Sequence, residues 1–336
     1  MKTQNFGIEI EMTGITRCKA ASVIAGYFHS QAIHVGGSYD TYTVQDQSGR
    51  QWKLVRDASI SCENRNGNRA SDLYSVEFVS PICQYADIET VQELVRTLKS
   101  AGARVNPSCG IHVHVDASRH TANTLKNLTN IVAAKEDLLY KALQVNVRRE
   151  HYCRKTDLRF LDDVNRKRPK TMDELEAIWY NGRGGRTRHY DESRYHCLNL
   201  HSVFSKGTVE FRLFNSTLHA GKVKTYIQLC LAISHQALVQ KYAQRSKTQS
   251  TNEKYTFRTW LLRLGLIGKE FETARLHLLK PLEGNIAWKD PAQQQRQQER
   301  LKARRELERM QRLPLPEEPE AGIRDPEEES GLTISM

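Results

Sequence analysis

The segment FGIEIEM, residues 6–12, alternates apolar and acidic side chains. In an extended strand, successive side chains point to opposite faces of the sheet. The four apolar residues of the segment therefore share one face, whereas Glu9 and Glu11 share the other. This period of two predicts a strand with one face in the hydrophobic core and one acidic face.

Three later segments repeat this alternation of apolar and polar side chains. They are YSVEFV (74–79), IHVHVD (111–116) and VEFRLF (209–214). Their polar side chains are Glu77, His112, His114, Glu210 and Arg212. Strict alternation also places Leu213 on the apolar face of the last segment. The sequence thus predicts four strands, each with one face that carries acids, histidines or an arginine.

The polar faces of these strands can be interpreted in two ways. Taken singly, each motif is typical of a solvated surface, where an ion pair such as Glu210–Arg212 contributes little. The repetition on four strands favours a shared site instead. Mainly carboxylate oxygens with one or two imidazoles suit Mg²⁺ or Mn²⁺ better than Zn²⁺. A metal centre beside an arginine suits phosphoryl transfer.

The remaining elements indicate an α+β fold of antiparallel strands and long helices. Helices are predicted at about 18–32, 87–101, 121–145 and 219–243, and further strands at 39–45, 51–56 and 196–204. We predict four parts of the chain: a catalytic domain over 1–285, a basic insertion at about 146–194 within it, a polar exposed helix over 286–312, and an acidic disordered tail over 313–336.

Composition narrows the class of protein. The 336 residues carry a net charge of +11, which points to acidic partners such as nucleotides, nucleic acid or acidic peptides. The seven cysteines are scattered and form no CxxC pair, so we expect a reducing compartment and no disulfide framework. We find no signal peptide and no membrane-spanning segment, and therefore expect a cytoplasmic protein.

Four segments in this order resemble the amidoligase family of carboxylate–amine ligases. They are FGIEIEMTG, RDASI followed by VEFVSP, SCGIHVHVD and VEFRLFNSTLHAGKV, and the resemblance runs from about Phe6 to about Tyr242. It implies a glutamine synthetase-like fold, in which a curved antiparallel sheet has helices packed on one side. It also implies that ATP and Mg²⁺ (or Mn²⁺) are needed to join a carboxylate substrate to an amine through an acyl phosphate.

The resemblance also implies roles for individual residues. The metal ligands would be Glu9, Glu11, Glu77, His112 and Glu210. His114 would lie toward ATP or substrate, and Arg212 would contact phosphate. Weaker candidates for the pocket that binds ATP and substrate are Asp57, Ser59, Asn215 and His219.

Some features leave other functions open. The Gly-rich basic stretch 182–188 can bind phosphates or an acidic substrate through Arg183 and Arg186, or can be a flexible solvated loop. The same acids and histidines also fit a metal-dependent hydrolase of phosphoesters or amides. The charge and the arginine-rich 146–194 region fit a nucleic-acid-binding protein. The identity of both substrates, peptide-derived or otherwise, and the oligomeric state are open.

Overall fold

The structure, a computed structural model, describes residues 1–311. The chain divides into two units, Met1–Lys289 and a second unit that begins at Asp290. The first unit contains one sheet of eight strands: β1 (Phe6–Met12), β2 (Ala32–Gly36), β3 (Thr41–Gln45), β4 (Gln51–Val55), β5 (Val76–Val79), β6 (Gly110–Asp116), β7 (Leu198–Asn199) and β8 (Thr208–Asn215). Their order is β2-β3-β4-β5-β1-β6-β8-β7, and neighbouring strands pair antiparallel.

The first unit also contains the helices α1 (Arg17–Phe28), α2 (Ile88–Ser100), α3 (Ala122–Leu143), α4 (Leu158–Lys167), α5 (Met172–Trp179), α6 (His201–Lys206), α7 (Ala220–Val239), α8 (Glu253–Arg263) and α9 (Glu272–Leu279). α1 packs on β3 and β4, α7 on β1 and β6, and α3 on β8. Antiparallel strands and long helices confirm the α+β prediction, whereas the glutamine synthetase-like arrangement stays an expectation.

The second unit contains helix α10 (Pro291–Gln311), in the region where the polar helix was predicted. Its sequence is rich in Gln, Arg and Glu, and most of its side chains are exposed. The predicted acidic tail, residues 313–336, lies outside the described residues. Within residues 1–311, the helices are too short or too polar to cross a membrane.

The predicted helix at 18–32 is too long. Helix α1 ends at Phe28 because His29 adopts a left-handed conformation (φ 52°), which closes the helix, and its N–H reaches carbonyls of the last turn. The chain then forms β2 at the edge of the sheet, a strand that was not predicted from sequence. The side chains of Ile33 and Val35 are more than half exposed. The strand therefore does not show the alternation of apolar core residues and polar surface residues from which a strand is predicted.

The predicted strand at 196–204 is wrong beyond its first residues. Strand β7 has two residues, and the side chain of Asn199 then accepts a hydrogen bond from the N–H of His201 at 2.8 Å, which turns the chain into α6. The strict alternation expected in VEFRLF also fails. A register shift in β8 places Phe211 opposite Val113 and Phe214 opposite Ile111, so Leu213 falls within the bulge.

His120 makes the stability of this fold depend on pH. Its two ring nitrogens lie 3.1 Å from Thr124 Oγ1 and 3.0 Å from Ser234 Oγ. Burial lowers the pKa of His120 from 6.5 to about 4, against a smaller opposing effect of Asp116. Between these values the unfolded chain binds a proton that the native protein does not, so stability falls as pH decreases.

We expect His120 to contribute up to about 3 kcal/mol to the loss of unfolding free energy between pH 6.5 and pH 4. In His120→Gln, this part of the pH dependence should be absent, because glutamine does not titrate. Urea unfolding of both proteins at several pH values in this window measures the difference. Parallel pH profiles for the two proteins would contradict the prediction.

Candidate functional site

Four neighbouring strands place polar side chains in a row across the polar face of the sheet. Glu77 of β5 lies opposite Glu11 of β1. Glu9 of β1 lies opposite His112 of β6, and His114 of β6 lies opposite Glu210 of β8. The candidate residues come from distant parts of the chain, and strand pairing brings them together.

Glu9 is at the centre of this row. Its Oε2 atom lies 3.1 Å from Nδ1 of His112, and its Oε1 atom lies 3.2 Å from Nε2 of His114 and 3.9 Å from Nζ of Lys206. Burial would raise the pKa of Glu9, but the charge of His114 and the hydrogen bond with His112 hold it well below its usual range. The Glu9 carboxylate is therefore ionised at neutral pH.

Potential ligand atoms converge in three overlapping groups. Within each group, one ligand atom of every residue lies within 4.8 Å of the others. The groups are Glu9, Glu77 and His112; Glu9, His114 and Glu210; and Glu11, Asp57 and Glu77. Glu9 and Glu77 each belong to two groups, an arrangement that can hold more than one divalent ion with shared carboxylate ligands.

Two observations fit a cation at these positions. His114 Nε2 is buried and faces Glu9, but it has no hydrogen-bond partner within residues 1–311, since its contact with Glu9 lacks hydrogen-bond geometry. The pKa of Glu77 is raised well above its usual range by burial and by the charges of Glu9, Glu11 and Asp57. A divalent cation would offset this repulsion, and the mainly carboxylate donor set suits Mg²⁺ or Mn²⁺.

Glu210 is held from three sides by its neighbours. Its Oε2 atom accepts hydrogen bonds from Asn199 Nδ2 at 2.6 Å and from Ser202 Oγ at 2.9 Å, and its Oε1 atom pairs with Arg212. Burial would raise the pKa of Glu210, but Arg212 and His114 hold it well below its usual range. Both members of the Glu210–Arg212 pair are buried, so this is not the exposed ion pair considered from sequence.

A second buried arginine, Arg149, lies beside the row. Its guanidinium donates to the carbonyl oxygen of Phe214 and covers Gly110, where a Cβ atom would lie 2.0 Å from Nη2. Gly110 is thus required for this close approach, and its N–H donates to Glu11 Oε2 at 2.6 Å. Arg149 was not predicted from sequence, because a basic stretch does not show which of its arginines is buried.

A cavity of about 650 Å³ opens above the row; as the candidate for catalysis, it is called the catalytic cavity below. Glu9, Glu11, Glu77, His112 and Arg212 line it, together with Asp57 and Ser59 from the loop after β4. His114 and Glu210 are not among the lining residues and are buried beside them. Lys206 and Tyr195, which were not predicted from sequence, are also among the lining residues.

Four predicted residues lie elsewhere. Asn215 makes hydrogen bonds with the backbone of Asn146 and Gln144. The ring of His219 packs against that of His277, with centroids 5.0 Å apart. Arg183 lines a different cavity, and Arg186 pairs with Glu176. None of the four lines the catalytic cavity.

Glu77→Gln is expected to stabilise the protein in the absence of metal. A carboxyl whose pKa is raised in the native state costs stability as pH rises above 4.5, because the native protein keeps a proton that the unfolded chain loses. A neutral amide removes this cost, and we expect a gain of about 1–2 kcal/mol at pH 8 and little change at pH 4. Urea unfolding in EDTA measures it; destabilisation at pH 8 would contradict the prediction.

Comparison with known proteins gives one family. Residues 2–234 match the family model described as "putative amidoligase enzyme". The matched range includes all eight strands and every residue of the row. A search of curated proteins returned no significant match.

Proposed function

The chain belongs to the putative amidoligase family, and we propose that it is an ATP- and Mg²⁺-dependent carboxylate–amine ligase that forms an amide through an acyl phosphate. Family membership supports a ligase-type enzyme with a carboxylate and an amine as substrates. The observation that carries the finer proposal is the convergence of acids and histidines in three groups on one sheet face, next to the buried Arg212.

In this proposal, the metal ligands are Glu9, Glu11, Glu77, His112 and Glu210. Mg²⁺ held by these residues would neutralise the phosphate oxygens of ATP. Glu9 and Glu77 suit shared ligands because each belongs to two groups. His114 positions Glu9 through the 3.2 Å contact between its Nε2 atom and Glu9 Oε1. The Nδ1 atom of His114 lies 2.9 Å from Thr208 Oγ1.

Arg212 supplies a fixed positive charge. Its guanidinium pairs with Glu210, and its Nε atom donates to the carbonyl oxygen of Tyr152 at 3.3 Å. Although burial would lower the pKa of Arg212, the Glu210 carboxylate raises it, so the guanidinium stays charged. A cation that is already oriented stabilises the charge on the transferred phosphoryl group without reorganisation.

The reaction has two displacements. An oxygen of the carboxylate substrate attacks the γ-phosphorus of ATP, and ADP leaves. The amine then attacks the acyl carbon, phosphate leaves, and the nitrogen loses a proton. The protein contributes orientation and charge, and no side-chain nucleophile is needed. Cys109 does not suit that role, because burial raises the pKa of its thiol to about 11.

The experiment that tests this proposal is ADP release by the purified protein. The protein is mixed with ATP, Mg²⁺ and pools of carboxylic acids and amines, each component is left out in turn, and EDTA serves as the metal-free control. We expect release to require the metal, an acid and an amine. Release without any amine, or no release with any pool, would count against the ligase.

The same preparation distinguishes the hydrolase alternative. Metal-dependent cleavage of a phosphoester such as p-nitrophenyl phosphate, or of simple amides, without nucleotide would favour a hydrolase that uses the same row. A ligase should leave these compounds intact, because its chemistry begins with transfer of a phosphoryl group from ATP.

A further inference from the structure

A second cavity of about 630 Å³ lies in the basic insertion. Parts of α4, of α5 and of the segment 188–196 form its wall. This segment also lines the catalytic cavity, and Tyr190 lines both cavities. The end of the segment is held by backbone hydrogen bonds to Arg154. The N–H of Arg154 donates to the Tyr195 carbonyl at 3.0 Å, and the N–H of Cys197 donates to the Arg154 carbonyl at 2.7 Å.

The second cavity carries unpaired positive charge. Four arginines line it, and within residues 1–311 none of them has a carboxylate within 4.0 Å: Arg154, Arg159, Arg183 and Arg188. Two of them donate only to neutral oxygens, Arg159 to Asn181 Oδ1 at 3.1 Å and Arg154 to the Glu192 carbonyl at 3.0 Å. Guanidinium groups that have no carboxylate partner are suited to binding carboxylate or phosphate ligands.

Most of the acids that line the cavity are already engaged. Asp157 and Asp191 accept backbone N–H groups at the starts of helical turns, and Asp163 pairs with Arg166 and Lys167. Glu192 is exposed and makes no side-chain hydrogen bond or ion pair within the part of the chain that the structure describes. Within residues 1–311, four arginines without a carboxylate partner thus face three acids without a basic partner, and backbone N–H groups already occupy two of those acids, so the guanidinium groups are free to bind an anionic ligand.

The wall also has an apolar part. Phe160 and Trp179 pack edge to face with ring centroids 4.7 Å apart, next to Ile178 and Leu198. A peptide with acidic side chains fits this mixture, because it offers separate single charges, apolar groups and backbone amides. The densely charged triphosphate of a nucleotide fits less well, since four carboxylates also line the cavity.

We propose that the second cavity binds an acidic peptide, whose chain continues past Tyr190 so that a carboxylate enters the catalytic cavity. The peptide's role as the carboxylate substrate rests on the proposed function. Its binding does not, because the four arginines line the second cavity and are not among the residues that line the catalytic cavity.

Calorimetric titration of the full chain, without ATP or metal, tests this binding. The probes are acetyl-Glu-Leu-Glu-Leu-amide, the same peptide with Gln in place of Glu, and sodium triphosphate. We expect the Glu peptide to bind at millimolar concentration or below and the Gln peptide at least about tenfold more weakly. In the variant Arg183→Gln/Arg188→Gln, the affinity for the Glu peptide should fall by at least about tenfold.

Arg186→Gln is the matched control, because Arg186 belongs to the same loop but pairs with Glu176 and does not line the cavity. It should bind the Glu peptide like the wild type. Equal binding of the Glu and Gln peptides, no binding of either, or an equal loss in the control would overturn the proposal. So would stronger binding of triphosphate that is lost in the double variant, which would indicate a polyphosphate site.

The two proposals fail separately. If the protein binds the Glu peptide but releases no ADP, the proposed peptide site is supported and the proposed ligase function is contradicted. If ADP release depends on the metal but the double variant binds the Glu peptide with unchanged affinity, the ligase function is supported and the acidic-peptide site is contradicted. Arg183 and Arg188 are exposed and have no side-chain hydrogen bond or ion pair within residues 1–311, so their substitution should leave the fold intact.

Discussion

Replacing Glu9 by glutamine is expected to reduce metal- and ATP-dependent amide formation by about 10³-fold. Glu9 belongs to two of the three groups of potential ligands and contacts both histidines. An amide keeps the shape of the side chain but removes the charge that a shared metal ligand supplies. Loss of a residue outside the ligand set typically costs only 10–100-fold, roughly, so a larger loss indicates a direct ligand.

The Glu9 experiment needs a control for the chemical change itself. Glu89→Gln makes the same substitution at an exposed acid in the first turn of α2, away from the catalytic cavity. Its rate of ADP release should equal that of the wild type. If Glu9→Gln retained the wild-type rate at saturating Mg²⁺, Glu9 would not be a metal ligand and the row would need another interpretation.

Arg212→Gln is expected to reduce both stability and activity. The substitution leaves the carboxylate of Glu210 buried beside a neutral group, and an uncompensated buried charge typically costs about 3–5 kcal/mol. Loss of an arginine that stabilises the transferred phosphoryl group typically lowers the rate by about 10³-fold or more. Urea unfolding measures the first effect, and ADP release at a temperature where the variant is folded measures the second.

A double variant separates these two effects of Arg212. Glu210→Gln/Arg212→Gln has no buried charge at this pair, so it should recover much of the stability that Arg212→Gln loses. It should not recover activity, because the guanidinium and one metal ligand are both absent. Equal stability of the single and double variants would show that Glu210 and Arg212 are not energetically coupled.

The predictions from sequence succeeded where a local pattern was sufficient. The period of two in FGIEIEM and IHVHVD places Glu9, Glu11, His112 and His114 on one face. In the sheet, Glu9 lies opposite His112, Glu11 opposite Glu77 and His114 opposite Glu210. Hydrophobic residues on the other face enter the core, so the alternation carries the orientation of each side chain without knowledge of the partner strand.

The predictions failed where contacts between distant segments decide the structure. The helical turn of α6 replaces a predicted strand because Asn199 and Ser202 form a hydrogen bond with each other and both donate to Glu210. Asn215 and His219 follow a motif strand directly, but they contact other segments and do not line the catalytic cavity, so their role in binding ATP or substrate stays a prediction. A position directly after a motif strand therefore does not by itself place a side chain in the cavity wall.

The sequence by itself determined the α+β class, the polar strand faces and the residues that a metal site can use, because side-chain alternation is a local property of an extended backbone. Only the tertiary structure decided the strand order that aligns Glu77, Glu9, His114 and Glu210. It alone also placed Arg149 over Gly110 and put a second, arginine-lined cavity next to the first. These features depend on which segments pair and pack across long sequence separations, which no local pattern specifies.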